Sequence, residues 1–362
     1  MSDWKSRFAV LGAAASAVLA AKALRQLWLF AKLGLLDPPV RKFKGEWALV
    51  TGGSEGVGKA VAAELASHGL HVLLVSRSQA KLDAAAAEIR SKHSNVQVRT
   101  YAADLTQRHS LDALLGHLAE THTPITVLVA NAGGAVPRFA SYWDFSDSEE
   151  AAMQALNGTA CYVLVKRLLP GMVQRGKGSV VAVSSVAHRL GAYLAPYGAE
   201  KAKMNALCNA LHHELHGSGV TAQAMKPAAA GAAETAAAEG PAGAVAGSGG
   251  NGTGAATAGS ASPFANTTSP PSSGSSTSDV AAAMASMRPT VTMPAAETAA
   301  AALVRSIGRG GPVVTPYWGH SLSEALLLDA WWPPELGKCI EGRVARSLKS
   351  SYDARIAAAQ AG

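Results

Sequence analysis

From Glu46 onward the chain repeats one unit: a short apolar run, then a stretch long enough for a helix. Trp47-Ala48-Leu49-Val50 reads as a buried strand, followed by a glycine turn and an amphipathic helix to about Ser67. His71 to Ser76 is a second apolar strand and Gln79 to Lys92 a second helix. Val96 to Ala102, Ile125 to Ala130 and Ser179 to Val183 continue the series, with helix-length segments between them. Parallel strands need a crossover of a dozen or more residues, and a helix supplies it. Strands alternating with such helices therefore predict an α/β protein: a doubly wound parallel sheet, covered on both faces.

The flanks are of a different texture. Phe8 to Ala21 is an apolar run; Lys22 and Arg25 interrupt it, and apolar residues resume from Leu27 to Leu36 around Lys32. The first run is shorter than the roughly 20 residues that cross a bilayer. Together the two runs can span if the basic side chains snorkel, or lie in the interface as an amphipathic anchor. Residues 1–40 are therefore expected to form a membrane anchor, with an organelle transit peptide as the alternative. From Ala228 to about Met287 the chain is Ala, Gly, Ser, Thr and Pro, with Phe264 its single aromatic residue. Such a stretch cannot bury enough apolar surface to offset its ordering entropy and is expected to be disordered. A helix over Glu297 to Ile307 and a strand at Val313-Val314 resume the folded pattern. The expected division is an anchor at 1–40, a catalytic domain at 45–235, a low-complexity insertion at 236–290, its C-terminal completion at 291–330 and a tail at 331–362.

Charge and cysteine content narrow the partners. The net charge is +7 without a Lys/Arg run, so a nucleic-acid partner is not expected. The basic excess suits a membrane surface and phosphorylated ligands better. The three cysteines, Cys161, Cys208 and Cys339, form no CxxC pair, so neither a disulfide framework nor a zinc site is expected. His212, His213 and His216 lack the spacing of a helical zinc motif, and no metal is assigned to them.

Directly after the first strand comes Thr51-Gly52-Gly53-Ser54-Glu55-Gly56-Val57-Gly58. Glycine is needed where backbone turns tightly and where amides approach a pyrophosphate without a Cβ in the way. The next helix would aim its free N–H groups at the phosphates. The second strand ends at Ser76-Arg77, where an acidic residue would bond the ribose hydroxyls of NAD. Arg77 instead offers a planar cation to the 2′-phosphate of NADP. Asp104 follows the third strand and can accept from the adenine amino group, or simply cap a helix. Asn131-Ala132-Gly133 ends the fourth strand, where ligand-facing loops of open parallel sheets gather.

Tyr197 and Lys201 stand four residues apart, on one face of a helix. A neighbouring ammonium is expected to lower the phenol pKa from its ordinary value near 10. Ser185 and Asn157 precede them, and the combination is far more specific than the Tyr/Lys spacing alone.

The set Thr51–Gly58, Asn131-Ala132-Gly133, Asn157, Ser185, Tyr197 and Lys201 resembles the short-chain dehydrogenase/reductase family, over residues 45–227. Within it the chain is most similar to the membrane-bound very-long-chain 3-oxoacyl-CoA reductases. That narrower likeness rests on Lys44-Gly-Glu-Trp47, Val75-Ser-Arg77-Ser, Leu169-Pro170-Gly171-Met172 and Thr315-Pro316-Tyr317-Trp318-Gly319-His320. The resemblance implies a Rossmann fold and NADPH as cofactor. It also implies reduction of the 3-keto group of long-chain and very-long-chain 3-oxoacyl-CoA during fatty acid elongation. Tyr197 would donate the proton, Ser185 hold the carbonyl oxygen, Lys201 bind the nicotinamide ribose, and Asn157 position water. The cofactor would contact Thr51, Gly52, Gly53, Ser54, Gly56, Val57, Gly58, Arg77, Asp104, Asn131, Ala132 and Gly133, besides Tyr197 and Lys201.

The likeness further implies the endoplasmic reticulum membrane with the catalytic domain facing the cytosol, a chloroplast location being the alternative. Partners would be an acyl-CoA or related lipid, the membrane, other elongation enzymes and a second copy of the chain. Two departures stand out. The threonine usual after the sixth strand is replaced in Lys226-Pro227-Ala-Ala-Ala-Gly231, and the low-complexity insertion falls where a substrate lid normally lies. Two other readings stay open: reduction of another lipid ketone, such as a 17β-hydroxysteroid or 3-ketosphinganine, and a non-catalytic NADP-binding scaffold.

Overall fold

In the computed structural model, seven parallel strands run in the order β3-β2-β1-β4-β5-β6-β7. The structure describes residues 37–134, 139–190, 192–226, 295–309, 311 and 313–315. Isolated helical residues near the ends complete the set (12, 13, 16, 17, 20, 21, 24 and 28; 346, 349, 350, 353, 354 and 357). The strands are β1 Trp47–Thr51, β2 His71–Ser76, β3 Val98–Ala102, β4 Ile125–Ala130, β5 Gly178–Val183, β6 Val220–Met225 and β7 Val313–Val314. The helices are α1 Gly56–Ser67, α2 Gln79–Lys92, α3 Arg108–Glu120, α4 Asp147–Met153, α5 Ala160–Gln174, α6 Ala187–Leu190, α7 Ala195–Glu214 and α8 Ala296–Ser306.

β1, β4 and β5 are buried along their whole length, as strands covered on both faces must be. Val61 and Leu65 of α1, Leu82 and Ile89 of α2, and Leu303 and Val304 of α8 cover one face. Leu111 and Leu114 of α3, Leu164 of α5, and Met204 and Cys208 of α7 cover the other. Strand order reverses between β2-β1 and β4-β5. That switch point opens a crevice at the carboxyl ends of the strands, where open α/β sheets bind ligands. The Rossmann-like sheet is as the alternation of apolar runs predicts; the third strand starts two residues later than expected, at Val98.

Among the described residues, no helix is long and apolar enough to cross a membrane. Most of the expected anchor at 1–40, and all of the low-complexity stretch from Ala228 to Met287, lie outside the described residues.

Candidate active site

The glycine turn is built by backbone contact. Gly52 sits at φ +65°, in the left-handed region, and a Cβ there would lie 3.1 Å from the Cα of Ala132. At Gly58, one turn into α1, a Cβ would stand 2.0 Å from the Gly52 carbonyl oxygen and 2.5 Å from Asn131 Nδ2. Helix, turn and β4 thus meet at a distance that only glycine permits. Thr51 Oγ1 accepts from the backbone N–H groups of Asn131 (3.0 Å) and Ala132 (2.9 Å), and Asn131 Nδ2 donates to the Thr51 carbonyl at 3.0 Å. Asn131 is therefore a clamp between β1 and β4, and its amide is spent on the protein.

Beside this turn lies a cleft lined by Gly52, Ser76, Arg77, Ala103, Leu105, Thr106, Ala132 and Leu156. Ser76 Oγ donates to Ser54 Oγ at 2.9 Å and fixes the lip of the turn. Arg77 is exposed at the edge of the cleft. Asp104 Oδ1 accepts from the backbone N–H (3.0 Å) and hydroxyl (2.7 Å) of Thr106, so it organises the loop ahead of α3, whose N-cap is Gln107. Leu105, Thr106 and Leu156 were not singled out by sequence; they line the cleft because they follow β3 or precede Asn157. A cleft lined by Gly52 of the glycine-rich turn and edged by the Arg77 guanidinium fits a dinucleotide with a 2′-phosphate.

The second half of the site rests on a break in helical hydrogen bonding. Between α4 and α5 the chain makes one π turn, Gln154–Thr159, a feature common at functional sites. It carries the fully buried Asn157, whose Nδ2 donates to the carbonyls of Gly134 (2.9 Å) and Met153 (3.1 Å). A Cβ on Gly133 would stand 2.6 Å from Asn157 Oδ1 and 3.0 Å from Lys201 Nζ. The bare Gly133 is what lets β4, the π turn and α7 converge.

α7 opens with Pro196 in its first turn, where a missing N–H costs nothing. Ser184 Oγ donates to the Lys201 carbonyl at 3.1 Å and moors α7 to the end of β5. The neighbouring Ser185 Oγ accepts from the Ala187 N–H at 3.2 Å, and its hydroxyl acts on the Tyr197 phenol to lower its pKa. Lys201 is buried; its Nζ donates to the Val183 carbonyl at 2.9 Å and lies 5.4 Å from the centre of the Tyr197 ring.

Solvation alters the expected electrostatics. Burial raises the Tyr197 pKa above its ordinary value, and the bond from Ser185 only partly opposes this. The expected lowering by Lys201 is therefore corrected: Lys201 Nζ stands beside the ring, but burial sets the direction of the shift and Ser185 is the group that opposes it. Burial also lowers Lys201 to about 8, against the opposing influence of Cys161 and Glu200. Below that pH the site holds a neutral phenol over an ammonium.

Residues 46–240 match the sequence profile of the short chain dehydrogenases. The chain belongs to that family. Among relatives, the very-long-chain 3-oxoacyl-CoA reductase of Bos taurus is 35% identical over 210 residues, 55% of this chain and 65% of that protein. The inactive hydroxysteroid dehydrogenase-like protein 1 of Mus musculus is 34% identical over 194 residues, 52% of this chain and 57% of that protein. The chain thus spans less than two thirds of the length of these short-chain dehydrogenase relatives. A solved metagenomic short-chain oxidoreductase in complex with NADP is 30% identical, covering 51% of this chain and 83% of that one, with a TM-score of 0.48.

Proposed function

We propose that this short-chain dehydrogenase is an NADPH-dependent reductase of the 3-keto group of long-chain and very-long-chain 3-oxoacyl-CoA. The observation that carries the reading is the Tyr197 phenol, kept protonated by burial beside the Lys201 ammonium and eased by Ser185, in a fold whose cleft at the glycine turn is edged by Arg77. When bound, the nicotinamide supplies the hydride. Gly52, Gly53, Ser54, Gly56, Val57 and Gly58 would hold the pyrophosphate, and Arg77 the 2′-phosphate. Ser185 orients the ketone oxygen, and the Tyr197 phenol gives its proton to that oxygen as negative charge develops there. Lys201 holds the ribose hydroxyls and stabilises the phenolate left behind; Asn157 fixes the proton supply behind it. The substrate class is supported by the names of the relatives at 32–36% identity.

The reading extends to the rest of the chain. Residues 1–40 anchor the protein on the endoplasmic reticulum membrane with the catalytic domain in the cytosol, residues 236–290 are a low-complexity insertion, and residues 291–330 complete the catalytic domain. Other elongation enzymes and a second copy of the chain are its partners. The test is oxidation of NADPH by the detergent-solubilised protein with a long-chain 3-oxoacyl-CoA, NADH being run alongside. Turnover with NADPH preference, lost at least a thousandfold in Tyr197→Phe while NADPH binding persists, is the expected result. NADPH binding without turnover of any 3-oxoacyl-CoA would transfer the reading to another lipid ketone or to a non-catalytic binding role.

A further inference from the structure

Three consecutive residues at the end of β5 are each fastened in place. The Val183 carbonyl accepts from Lys201 Nζ at 2.9 Å. The Ser184 N–H donates to the Met225 carbonyl at 2.8 Å, and Ser184 Oγ donates to the Lys201 carbonyl at 3.1 Å. Ser185, the third, is fastened from its own downstream turn. The backbone N–H of His188 reaches the Ser185 carbonyl at 3.4 Å, which is a long bond, while His188 Nδ1 stands 2.7 Å from the same oxygen. A carbonyl oxygen only accepts, so the imidazole is the donor and Nδ1 carries the proton. The ring closes a turn that the backbone alone closes poorly. Support from the helix itself is small, because α6 runs only from Ala187 to Leu190 and one turn of helix is not stable in isolation.

The turn sets what the serine hydroxyl can do. Within it the Ala187 N–H donates to Ser185 Oγ at 3.2 Å. That bond occupies a lone pair of the oxygen and leaves the hydroxyl hydrogen for another partner. The direction of the Ala187 N–H follows the peptide planes between Ser185 and His188, and the imidazole pins the first of these planes. The far end of the same segment is held as well. The Tyr193 carbonyl accepts from the Ala140 N–H at 3.0 Å, with Tyr193 at φ +66°, a conformation that a non-glycine residue keeps only where its surroundings impose it. The chain between Ser185 and Tyr197 is thus tied at both ends, and His188 is the tie on the serine.

We propose that His188 is a positioning residue for the reduction: its Nδ1–H, bonded to the Ser185 carbonyl, holds the turn in which the Ser185 hydroxyl faces Tyr197 and the ketone oxygen. This role rests on the reductase reading above. His188 bonds the backbone of the serine, so it carries no proton of the reaction. Protonation of the ring leaves the bond in place, since Nδ1 keeps its hydrogen in the charged form.

The experiment compares three substitutions in the detergent-solubilised full chain, with NADPH and a long-chain 3-oxoacyl-CoA. The side-chain nitrogen of asparagine stands where Nδ1 stands; that of glutamine reaches to the place of Nε2. His188→Asn should keep kcat within about threefold, whereas His188→Ala and His188→Gln should lower it by about tenfold to a hundredfold, the order that a small misplacement of a reacting group costs. Affinity for NADPH, read by its fluorescence, should stay unchanged in all three, because the nucleotide cleft is lined by other residues. If His188→Ala does not fold, the difference between Asn and Gln decides alone. Equal losses in Asn and Gln, or no loss in Gln, overturn the role and leave the reductase reading standing. Nitrogen-15 NMR of the labelled protein supplies a readout that needs no turnover: the neutral His188 ring should be the Nδ1–H tautomer, and an Nε2–H tautomer overturns the bond itself. Absence of turnover by the unaltered protein, with the Nδ1–H tautomer present, removes the reductase reading and the positioning role with it.

Discussion

Replacing Lys201 by methionine should make the folded protein more stable at neutral pH while removing its activity. Burial holds the ammonium at about 8 against the ordinary lysine value of 10.5. At 1.36 kcal/mol per pH unit the difference costs the folded state about 3 kcal/mol at pH 7. The sign follows from proton counting. Between about pH 8 and 10.5 the unfolded chain holds a proton on Lys201 that the folded chain has lost, so stability rises with pH across that window. At pH 9.5 roughly half of the cost has gone. Methionine keeps the length of the side chain but abandons the bond to the Val183 carbonyl, a loss of about 1 kcal/mol. The net gain is about 2 kcal/mol at pH 7 and near zero at pH 9.5. In thermal terms this is about 5 °C at pH 7, given the size of the folded part. Denaturant unfolding of the nucleotide-free protein, followed by tryptophan fluorescence at the two pH values, measures it. A variant less stable at both pH values, or a gain that does not change with pH, would refute the claim that desolvation governs this lysine.

Three further outcomes are expected. Arg77→Ala should raise the KM for NADPH between about tenfold and a hundredfold, the usual worth of a charge-assisted bond to phosphate, and leave the KM for NADH within about twofold; equal losses for both cofactors would remove Arg77 from the 2′-phosphate. Asn131→Ala should cost about 1–2 kcal/mol of stability, because its amide joins β1 to β4 through the Thr51 carbonyl, and urea titration reads this directly. Cys161 and Cys208, buried and pushed up to about 11 and about 12, should resist alkylation at pH 8 until the protein is unfolded, as peptide mass spectrometry would show.

The cofactor half of the site was legible because its requirements are backbone requirements. Gly52 and Gly58 must be glycine where β4 and the turn touch, and that need is written in the sequence itself. The strand series was legible for a similar reason, since strands buried on both faces read as continuous apolar runs. The catalytic half was legible in position but not in electrostatics. A spacing of four on a helix predicts that Tyr197 and Lys201 are neighbours; it carries no information about water, and burial reverses the expected direction for the phenol. The π turn at Gln154–Thr159 was not foreseen, since Gln-Ala-Leu-Asn-Gly-Thr has the composition of an ordinary helix with one weak point. Glu200 was not singled out by sequence, because only the packed structure shows it against Gly158.

Burial of both groups gives the proposed reaction a preferred protonation state. Reduction of a ketone consumes a proton, and it needs Tyr197 as a phenol when the hydride arrives. Oxidation of the alcohol needs the phenolate. A site that raises the phenol and keeps Lys201 charged below about pH 8 is populated in the form that donates. The same desolvation that costs the fold several kcal/mol at Lys201 thus stocks the site with the proton that reduction uses. Full solvation of the pair would relieve the cost and forfeit the bias, so the tight closure of Gly133 against Asn157 and Lys201 serves the chemistry more than the stability of the fold.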